Sequence, residues 1–308
     1  MADIETRTAG PTLAVAAETI NTEQRSQLRL ALARFVRHRL AVASLVVLLL
    51  VVGFAFIGSM VWPYDHTVTR GVPSSVAPSW DHPFGTTTAG QDVMGQVMRG
   101  TQQSLKVALT VAVISTTFGA LWGAIAGLYR GWVDNLMMRI VDVILVVPLL
   151  VLVTAVAGNV RGGTTWWAVA LVIAAFIWTG TSRVVRGVVL SLREQEFVEA
   201  SRAMGSTDSR IIVRHLIPNA AGPIIVAGTL AVAFAILAEA ALSFLGFGIQ
   251  PPDTSLGLLI ETARTAPFTR PWLFYPPGMF IILICLTINF IGDGLRDALD
   301  PRQTMVRR

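Results

Sequence analysis

The sequence EASRAMGSTDSRIIVRHLIP, residues 199–218, is a polar stretch between long apolar segments. Small and apolar residues within and just before it recur at steps of three and four, which predicts one face of a short helix: Phe197, Ala200, Ser201 and Met204. Gly205 then interrupts the pattern, because glycine reaches left-handed backbone angles at little cost. Ser206 is a candidate N-cap for a second short helix, which Pro218 is expected to end. The stretch predicts a helix–glycine–helix unit between membrane spans, shaped to fill a groove on another protein.

Composition indicates a membrane protein that crosses the bilayer several times. Hydrophobic residues make up 53% of the chain and charged residues 14%, and several apolar runs approach the length that spans a bilayer. The net charge of +5 comes from small basic groups beside these runs, so we expect no nucleic-acid binding. The single cysteine, Cys285, lies inside an apolar run, so no disulfide can form within the chain.

Six apolar segments predict an all-α fold with six transmembrane helices: residues 40–62, 105–129, 136–157, 166–185, 224–247 and 272–291. Residues 63–104 form a long extracytoplasmic connection rich in Pro, Gly, Thr and Trp. The last five spans then make up a five-helix membrane core, residues 105–308, which is expected to end in a short cytoplasmic tail.

The N-terminal region divides into two parts. Residues 1–24 are polar and predict a disordered cytoplasmic tail. Residues 25–39 predict a basic amphipathic helix, because Leu28, Leu32 and Phe35 share one face and arginines surround it. Such a helix lies on an anionic lipid surface. A target for a groove on a partner, of the calmodulin kind, is the alternative.

The distribution of basic residues predicts the orientation. With the N-terminus in the cytoplasm, 18 of the 24 Lys and Arg residues fall on the inner side and 6 on the outer side. The excess of basic residues on cytoplasmic loops favours this orientation. It places both termini and the 199–218 stretch in the cytoplasm.

The central stretch resembles the EAA loop of bacterial ABC-importer permeases. The likeness rests on the EA pair at 199–200, on Gly205 and on the LIP sequence at 216–218. Ser201 stands where a second alanine is usual, and His215 stands where an isoleucine is usual. In that family the loop is a coupling helix that docks on the ATPase subunit. An ordinary cytoplasmic loop is the alternative interpretation.

A second resemblance covers the segment HPFGTTTAGQDVMGQVMRGTQQSL, residues 82–105. It is similar to the signature that precedes the second span of dipeptide and oligopeptide permeases, although Thr87 replaces a common aspartate and Gln91 a common arginine. Three further segments are similar to the same family: residues 127–142, 246–272 and 291–302. The chain is therefore identified as resembling a C-type permease subunit of that family over about residues 80–302, with a type I ABC-importer architecture.

The resemblance implies a site in the coupling loop, residues 195–217. Glu199 would anchor the loop by polar contacts, Ala200 would allow close approach, and Gly205 would set the turn. The full set expected to couple to the ATPase is Glu199, Ala200, Ser201, Met204, Gly205, Ser206, Arg210 and Pro218.

The resemblance also implies partners in a bacterial plasma (inner) membrane. These are a homologous B-type permease in a heterodimer, one or two ABC ATPase subunits, and an extracytoplasmic peptide-binding protein. The sequence holds no HExxH motif, no dinucleotide-binding glycine motif and no Walker A lysine motif, so we expect no catalytic residues. The four histidines are scattered, so no metal site is expected. ATP and Mg²⁺ would bind the partner ATPases, and no cofactor would bind this chain.

Glu239 is the ionisable residue nearest the middle of a predicted span. A charge at bilayer depth is costly, so this side chain should face the bundle interior or a wet cavity. It could line the translocation path, pair structurally with a neighbouring helix, or carry protons. After that span, Gly246 and Gly248 precede Pro251 and Pro252, and we expect these four residues to form part of an outer mouth.

Two further functions stay open. The same type of importer could carry nickel chelates, glutathione or another small solute, since the binding protein largely selects the substrate. A stand-alone secondary transporter is the other, against which stand the lack of an obvious inverted repeat and the shortage of intramembrane charges.

Overall fold

The computed structural model describes residues 27–69, 71–148, 150–151 and 165–299, with the backbone alone at 27–30. The predicted tail at 1–24, the end of the third predicted span at 152–157 and residues 300–308 lie outside these ranges. The described helices are, in chain order, α1 (Gln27–Arg37), α2 (Arg39–Val61), α3 (Val93–Tyr129), α4 (Gly131–Val146), α5 (Trp166–Leu192), α6 (Glu196–Ala203), α7 (Asp208–Ile211), α8 (Ile217–Asn219), α9 (Ala221–Phe244), α10 (Leu256–Thr262) and α11 (Pro271–Leu299).

Five helices in the described ranges are long and apolar enough to cross a membrane: α2, α3, α5, α9 and α11. The all-α class is therefore confirmed. The third predicted span begins within α4 and continues past the described residues. The count of six spans thus stays a prediction, and so does the cytoplasmic placement of the termini.

The predicted amphipathic segment forms α1 and packs on the end of α11. His38 adopts an extended conformation between α1 and α2, and its Nδ1 accepts the amide hydrogen of Ala41 at 3.1 Å, which caps α2. Phe35 is buried against the C-terminal part of α11, whereas Leu32 is 63% exposed. The apolar face of α1 is therefore divided between a protein contact and the surroundings.

Helix α3 begins at Val93, well before the span predicted to start at Leu105. Asp92 caps it by accepting the amide hydrogen of Gly95 at 2.7 Å. The polar residues that follow hid this extension from a hydropathy pattern. They are tolerated because Arg99 and Gln103 hydrogen-bond to a neighbouring segment of the bundle.

Helices α3 and α5 form the closest pair of the bundle because three glycines of α3 face α5. A Cβ atom at Gly119 would lie 2.6 Å from the carbonyl oxygen of Trp178, and one at Gly123 would lie 2.3 Å from that of Ser182. At Gly127 a Cβ atom would lie 2.8 Å from the Val189 side chain and 3.1 Å from the carbonyl oxygen of Arg186. Small residues at four-residue spacing thus bring the two backbones together.

Helix α4 is held to α5 by ion pairs as well as by packing. The carboxylate of Asp134 is buried and accepts two hydrogen bonds from the Arg186 guanidinium. Asp142 pairs with Arg183 farther along the same two helices, with both side chains about half exposed. A larger apolar core joins α3, α5, α9 and α11.

Candidate functional site

The predicted helix–glycine–helix unit is present as α6, a turn at Gly205, and α7. Gly205 has a φ of +78°. Its amide donates to the carbonyl of Arg202 at 2.9 Å, and the amide of Ser206 donates to that of Ser201 at 3.1 Å. These two bonds define a Schellman motif, which requires a left-handed residue at this position. A Cβ atom at Gly205 would meet nothing within 4 Å. Within this chain, the positive φ is therefore the reason that the position favours glycine.

Two details of the unit differ from the sequence prediction. Thr207, and not Ser206, occupies the N-cap of α7, because Ser206 is already engaged in the end of α6. Pro218 does not end the helical path. It lies in the first turn of α8, where a proline needs no amide hydrogen, and a π-helical turn at Ile212–Leu216 precedes it.

The buried face of the unit packs on the ends of α3 and α5. Val198, Ile211 and Leu216 are fully buried in a cluster that includes Leu128 of α3 and Val189 of α5. This cluster attaches the unit to the closely packed α3–α5 pair. A hydrogen bond from the Arg193 guanidinium to the carbonyl of Leu128 adds a polar tie between the same elements.

The exposed face of the unit carries apolar side chains beside charged ones. Met204 is 80% exposed, Val213 60% and Phe197 37%. Of the residues expected to couple to an ATPase, six are exposed: Glu199, Ala200, Met204, Gly205, Arg210 and Pro218. We call these six residues, with Phe197 and Val213, the coupling face.

Two of the expected coupling residues do not lie on the coupling face. Ser201 is 1% exposed and belongs to the buried side of α6, because that side is centred on Val198 and Ser201. Phe197, Ala200, Ser201 and Met204 therefore do not share one face as their spacing predicted. Ser206 is half-buried within the Schellman turn.

A second constellation lies at the other end of the bundle, around Asp92. Its carboxylate is fully buried and accepts from the indole nitrogen of Trp62 at 2.9 Å, and it lies 2.7 Å from Nδ1 of His82. Asp92 thereby ties the end of α2 and the following loop to α3. In the turn that follows His82, Thr87 accepts the amide hydrogen of Gln91 at 3.0 Å, so a neutral hydrogen bond holds that turn.

The predicted outer-mouth residues form a tightly held segment after α9. Gly246, with a φ of +83°, ends α9 in a second Schellman motif. Gly248 packs directly on Ser243, since a Cβ atom there would lie 1.8 Å from the serine hydroxyl. Pro251 and Pro252 are exposed and joined by a cis peptide bond. We call residues 246–262, which include α10, the outer segment.

Asp253 fastens the outer segment to α3. Its carboxylate accepts two hydrogen bonds from the Arg99 guanidinium, at 2.9 and 3.1 Å, and another from the Gln103 amide. Paired hydrogen bonds of this kind fix orientation as well as distance. Sequence reasoning missed Asp92, Arg99 and Asp253. The polar start of an otherwise apolar helix was a signal for Asp92 and Arg99.

Glu239 is fully buried at the junction of α3, α9 and the outer segment. Ser104 donates to its Oε2 at 3.0 Å, and Ser243 donates to its Oε1 at 2.7 Å. Ser255, the N-cap of α10, lies 3.3 Å from the Ser243 hydroxyl. Among the described residues, the hydrogen bonds to this carboxyl group come from serine hydroxyls.

An apolar groove of about 1090 Å³ opens between α4, α5, α9 and α11. Its lining includes Phe176, Pro223 and Phe234, with Arg296 at one end. A smaller groove of about 250 Å³ lies between the 87–91 turn and the outer segment. Within the described residues, the bundle thus has one large apolar concavity and a smaller one with a more polar lining.

The sequence matches two family models. One is described as binding-protein-dependent transport system inner membrane component and matches residues 119–305. The other is described as the N-terminal TM domain of oligopeptide transport permease C and matches residues 26–75.

Similar proteins of known name agree with these matches. The oligopeptide transport system permease protein OppC of Mycobacterium tuberculosis (strain ATCC 25618 / H37Rv) is 44% identical over 93% of this chain and 99% of that protein. A putative peptide permease protein of Brucella suis biovar 1 (strain 1330) is 42% identical over 87% and 89%. The OppC protein of Bacillus subtilis (strain 168) is 37% identical over 93% of each chain.

Among solved structures, a chain of the MetNI methionine ABC transporter in inward-facing conformations shares the fold. It has a TM-score of 0.56 and 20% identity, and it covers 67% of this chain and 97% of its own. Together with the five spanning helices, the family matches and the similar proteins define a multi-pass membrane permease of the ABC-importer type. More particularly, the chain belongs to the family of binding-protein-dependent transport system inner membrane components, and it resides in the inner membrane.

Proposed function

We propose that this chain is the C-type permease subunit of an importer for dipeptides and oligopeptides. The observation that carries the proposal is the coupling face, a set of exposed apolar and charged side chains on a unit whose other face is fixed to the α3–α5 pair. The names of the relatives support peptides as cargo.

The coupling face would fill a cleft on an ABC ATPase. Met204 and Phe197 supply apolar area at its centre, while Glu199 and Arg210 supply charge beside it. Buried apolar anchors within a polar rim are the usual composition of such interfaces. One or two ATPase subunits would bind and hydrolyse ATP with Mg²⁺, and this chain would bind no cofactor and catalyse no reaction.

Closure of the ATPases would then move the spans. The unit is packed on α3 and α5, and those helices are in backbone contact through Gly119 and Gly123, so the three elements would shift as one body. Such a rigid-body shift biases the permease between inward-open and outward-open states.

A homologous B-type permease would complete the pathway as the partner in a heterodimer. The groove of about 1090 Å³ between α4, α5, α9 and α11 supports this, because its lining is mainly apolar. An extracytoplasmic peptide-binding protein would dock at the opposite end from the coupling face. Nickel chelates, glutathione or another small solute remain the alternative cargo.

The test is to tag the chain at its C-terminus, purify it from membranes in mild detergent, and identify its companions by mass spectrometry. We expect a second permease and ABC ATPase chains. ATP-dependent peptide uptake by the reconstituted complex would then be measured. Recovery of the chain alone, with transport that needs no ATP, would contradict the proposal and favour a secondary transporter.

A further inference from the structure

We propose that Glu239 is a positioning residue for transport, whose carboxyl group anchors the outer segment to α3 and α9. The inference rests on the proposed function for its transport role. The anchor itself rests on the contacts of the described residues alone.

The hydrogen bonds around Glu239 have one consistent direction. Ser255 accepts the amide hydrogen of Leu258 at 3.1 Å, which leaves its own hydrogen for the Ser243 hydroxyl. Ser243 passes its hydrogen to Glu239. The relay therefore runs from the first turn of α10, through α9, to one oxygen of the carboxyl group.

The other carboxyl oxygen is reached from α3. Ser104 donates to Glu239, and its oxygen accepts the amide hydrogen of Leu256 at 3.3 Å. A single serine thus links the carboxyl group to the backbone at the start of α10. Both oxygens of Glu239 accept, so an amide in its place would set a donor against a donor.

The outer segment packs closely on α3 and α9 around Glu239. A Cβ atom at Gly257 would lie 2.6 Å from the Cα of Ala240, and one at Gly100 would lie 3.0 Å from the carbonyl carbon of Ser255. Between Pro252 and the start of α10, Asp253 forms an ion pair with Arg99 of α3. The outer segment is therefore fixed by the Arg99–Asp253 ion pair near its middle and by the hydrogen bonds of Glu239 and its serines at the start of α10.

This arrangement explains why a carboxyl group is kept at this depth. A buried carboxyl group is costly unless its oxygens are satisfied, and here three helical elements contribute to satisfying them. The outer segment borders the smaller groove, where Pro251 and Asp253 line the wall. Docking of a partner on that surface would be transmitted directly to α3 and α9.

The anchor is tested by thiol labelling in membranes. Cys285 is the single native cysteine, so Cys285→Ala with Leu258→Cys leaves one thiol, at a position 9% exposed. We expect a membrane-impermeant maleimide to label it about tenfold faster after Glu239→Gln or Ser104→Ala, since the loss of about 1.4 kcal/mol corresponds to that factor. Ser115→Ala is the matched control, because Ser115 is equally buried in α3 and donates within its own helix.

Access of the reagent is controlled separately. A thiol at Thr262, which is exposed, should label at one rate in every background. Unchanged labelling of Leu258→Cys after Glu239→Gln would overturn the anchor. This arm requires neither cargo nor ATPase, so its result is independent of the proposed function.

The transport role is tested by uptake of trialanine in cells. We expect Glu239→Gln and Ser104→Ala to lower the maximal rate about tenfold at equal amounts of the chain in the membrane, with the half-saturating concentration unchanged. The double variant should fall no further than Glu239→Gln, because both changes break the contact between Ser104 and Glu239. Unchanged maximal rates, or additive losses, would overturn the role in transport. No uptake by the unsubstituted chain would contradict the peptide proposal instead.

Discussion

The guanidinium of Arg186 on α5 donates two parallel hydrogen bonds, of 2.5 and 2.6 Å, to the buried carboxylate of Asp134 on α4. Asp134 lies in the first turn of α4, immediately after the left-handed Arg130–Gly131 turn that separates it from α3. The ion pair therefore fixes α4 against the α3–α5 pair, on which the helix–glycine–helix unit also packs.

Arg186→Gln should lower the stability of the purified protein by about 1–3 kcal/mol, because it leaves a buried carboxylate without its partner. The measurement is thermal or denaturant unfolding in detergent. Arg183→Gln is the matched control. Its pair with Asp142 is about half exposed, so a change of about 0–1 kcal/mol is expected. Equal effects of the two substitutions would contradict the distinction.

Gly205→Asp should leave membrane insertion intact and uncouple ATP hydrolysis from import. The substituted residue would have to hold a φ of +78°, and its side chain would project into the open space that the proposed ATPase contact would fill. Gly71→Asp is the control, since Gly71 has the same φ of 78° and equally open surroundings outside the coupling face. Peptide uptake at the unsubstituted level by Gly205→Asp would refute the docking role.

Met204→Ala should weaken recovery of the ATPase with the tagged chain by about tenfold, as expected for a central apolar anchor worth more than about 1 kcal/mol. Met60→Ala is the comparison, because Met60 is 84% exposed but lies at the end of α2. Recovery is measured by quantitative immunoblot at equal amounts of the chain. A loss of equal size with Met60→Ala would show that the effect is not local.

Gly123→Ala should destabilise the bundle, because the added Cβ atom meets the carbonyl oxygen of Ser182 at 2.3 Å and the amide nitrogen of Arg186 at 2.9 Å. Gly187→Ala, on the partner helix, meets nothing within 4 Å and should be neutral or stabilising by up to about 1 kcal/mol. Melting temperatures of the two variants give the comparison. A stable Gly123→Ala protein would contradict the close backbone packing of α3 on α5.

Much of the architecture was predictable because a helix that crosses the bilayer needs a long apolar run. Each such run can be recognised in the sequence without knowing its partners in the fold. The helix–glycine–helix unit was predictable for a similar reason, since a Schellman turn at Gly205 depends on local backbone geometry. The true start of α3 was missed. Half of residues 93–104 have polar side chains, and the partners of Arg99, Gln103 and Ser104 are remote in the chain.

In the coupling face, too, the sequence predicted the helices but not which of their residues are exposed. Helical spacing alone grouped Ser201 with Met204, but spacing does not say which side of a short helix meets the bundle. That choice is made by Val198, Ile211 and Leu216, which are buried against α3 and α5.

By itself, the sequence determined the class of protein, the apolar spans and the local turn at Gly205, because each depends on neighbours in the chain. The tertiary structure decided the partners of Glu239, Asp253 and Asp134. Ser104 lies 135 residues from Glu239, and Arg99 lies 154 residues from Asp253. A buried polar group is stable only where a partner from another element reaches it, and only the folded bundle brings those partners together.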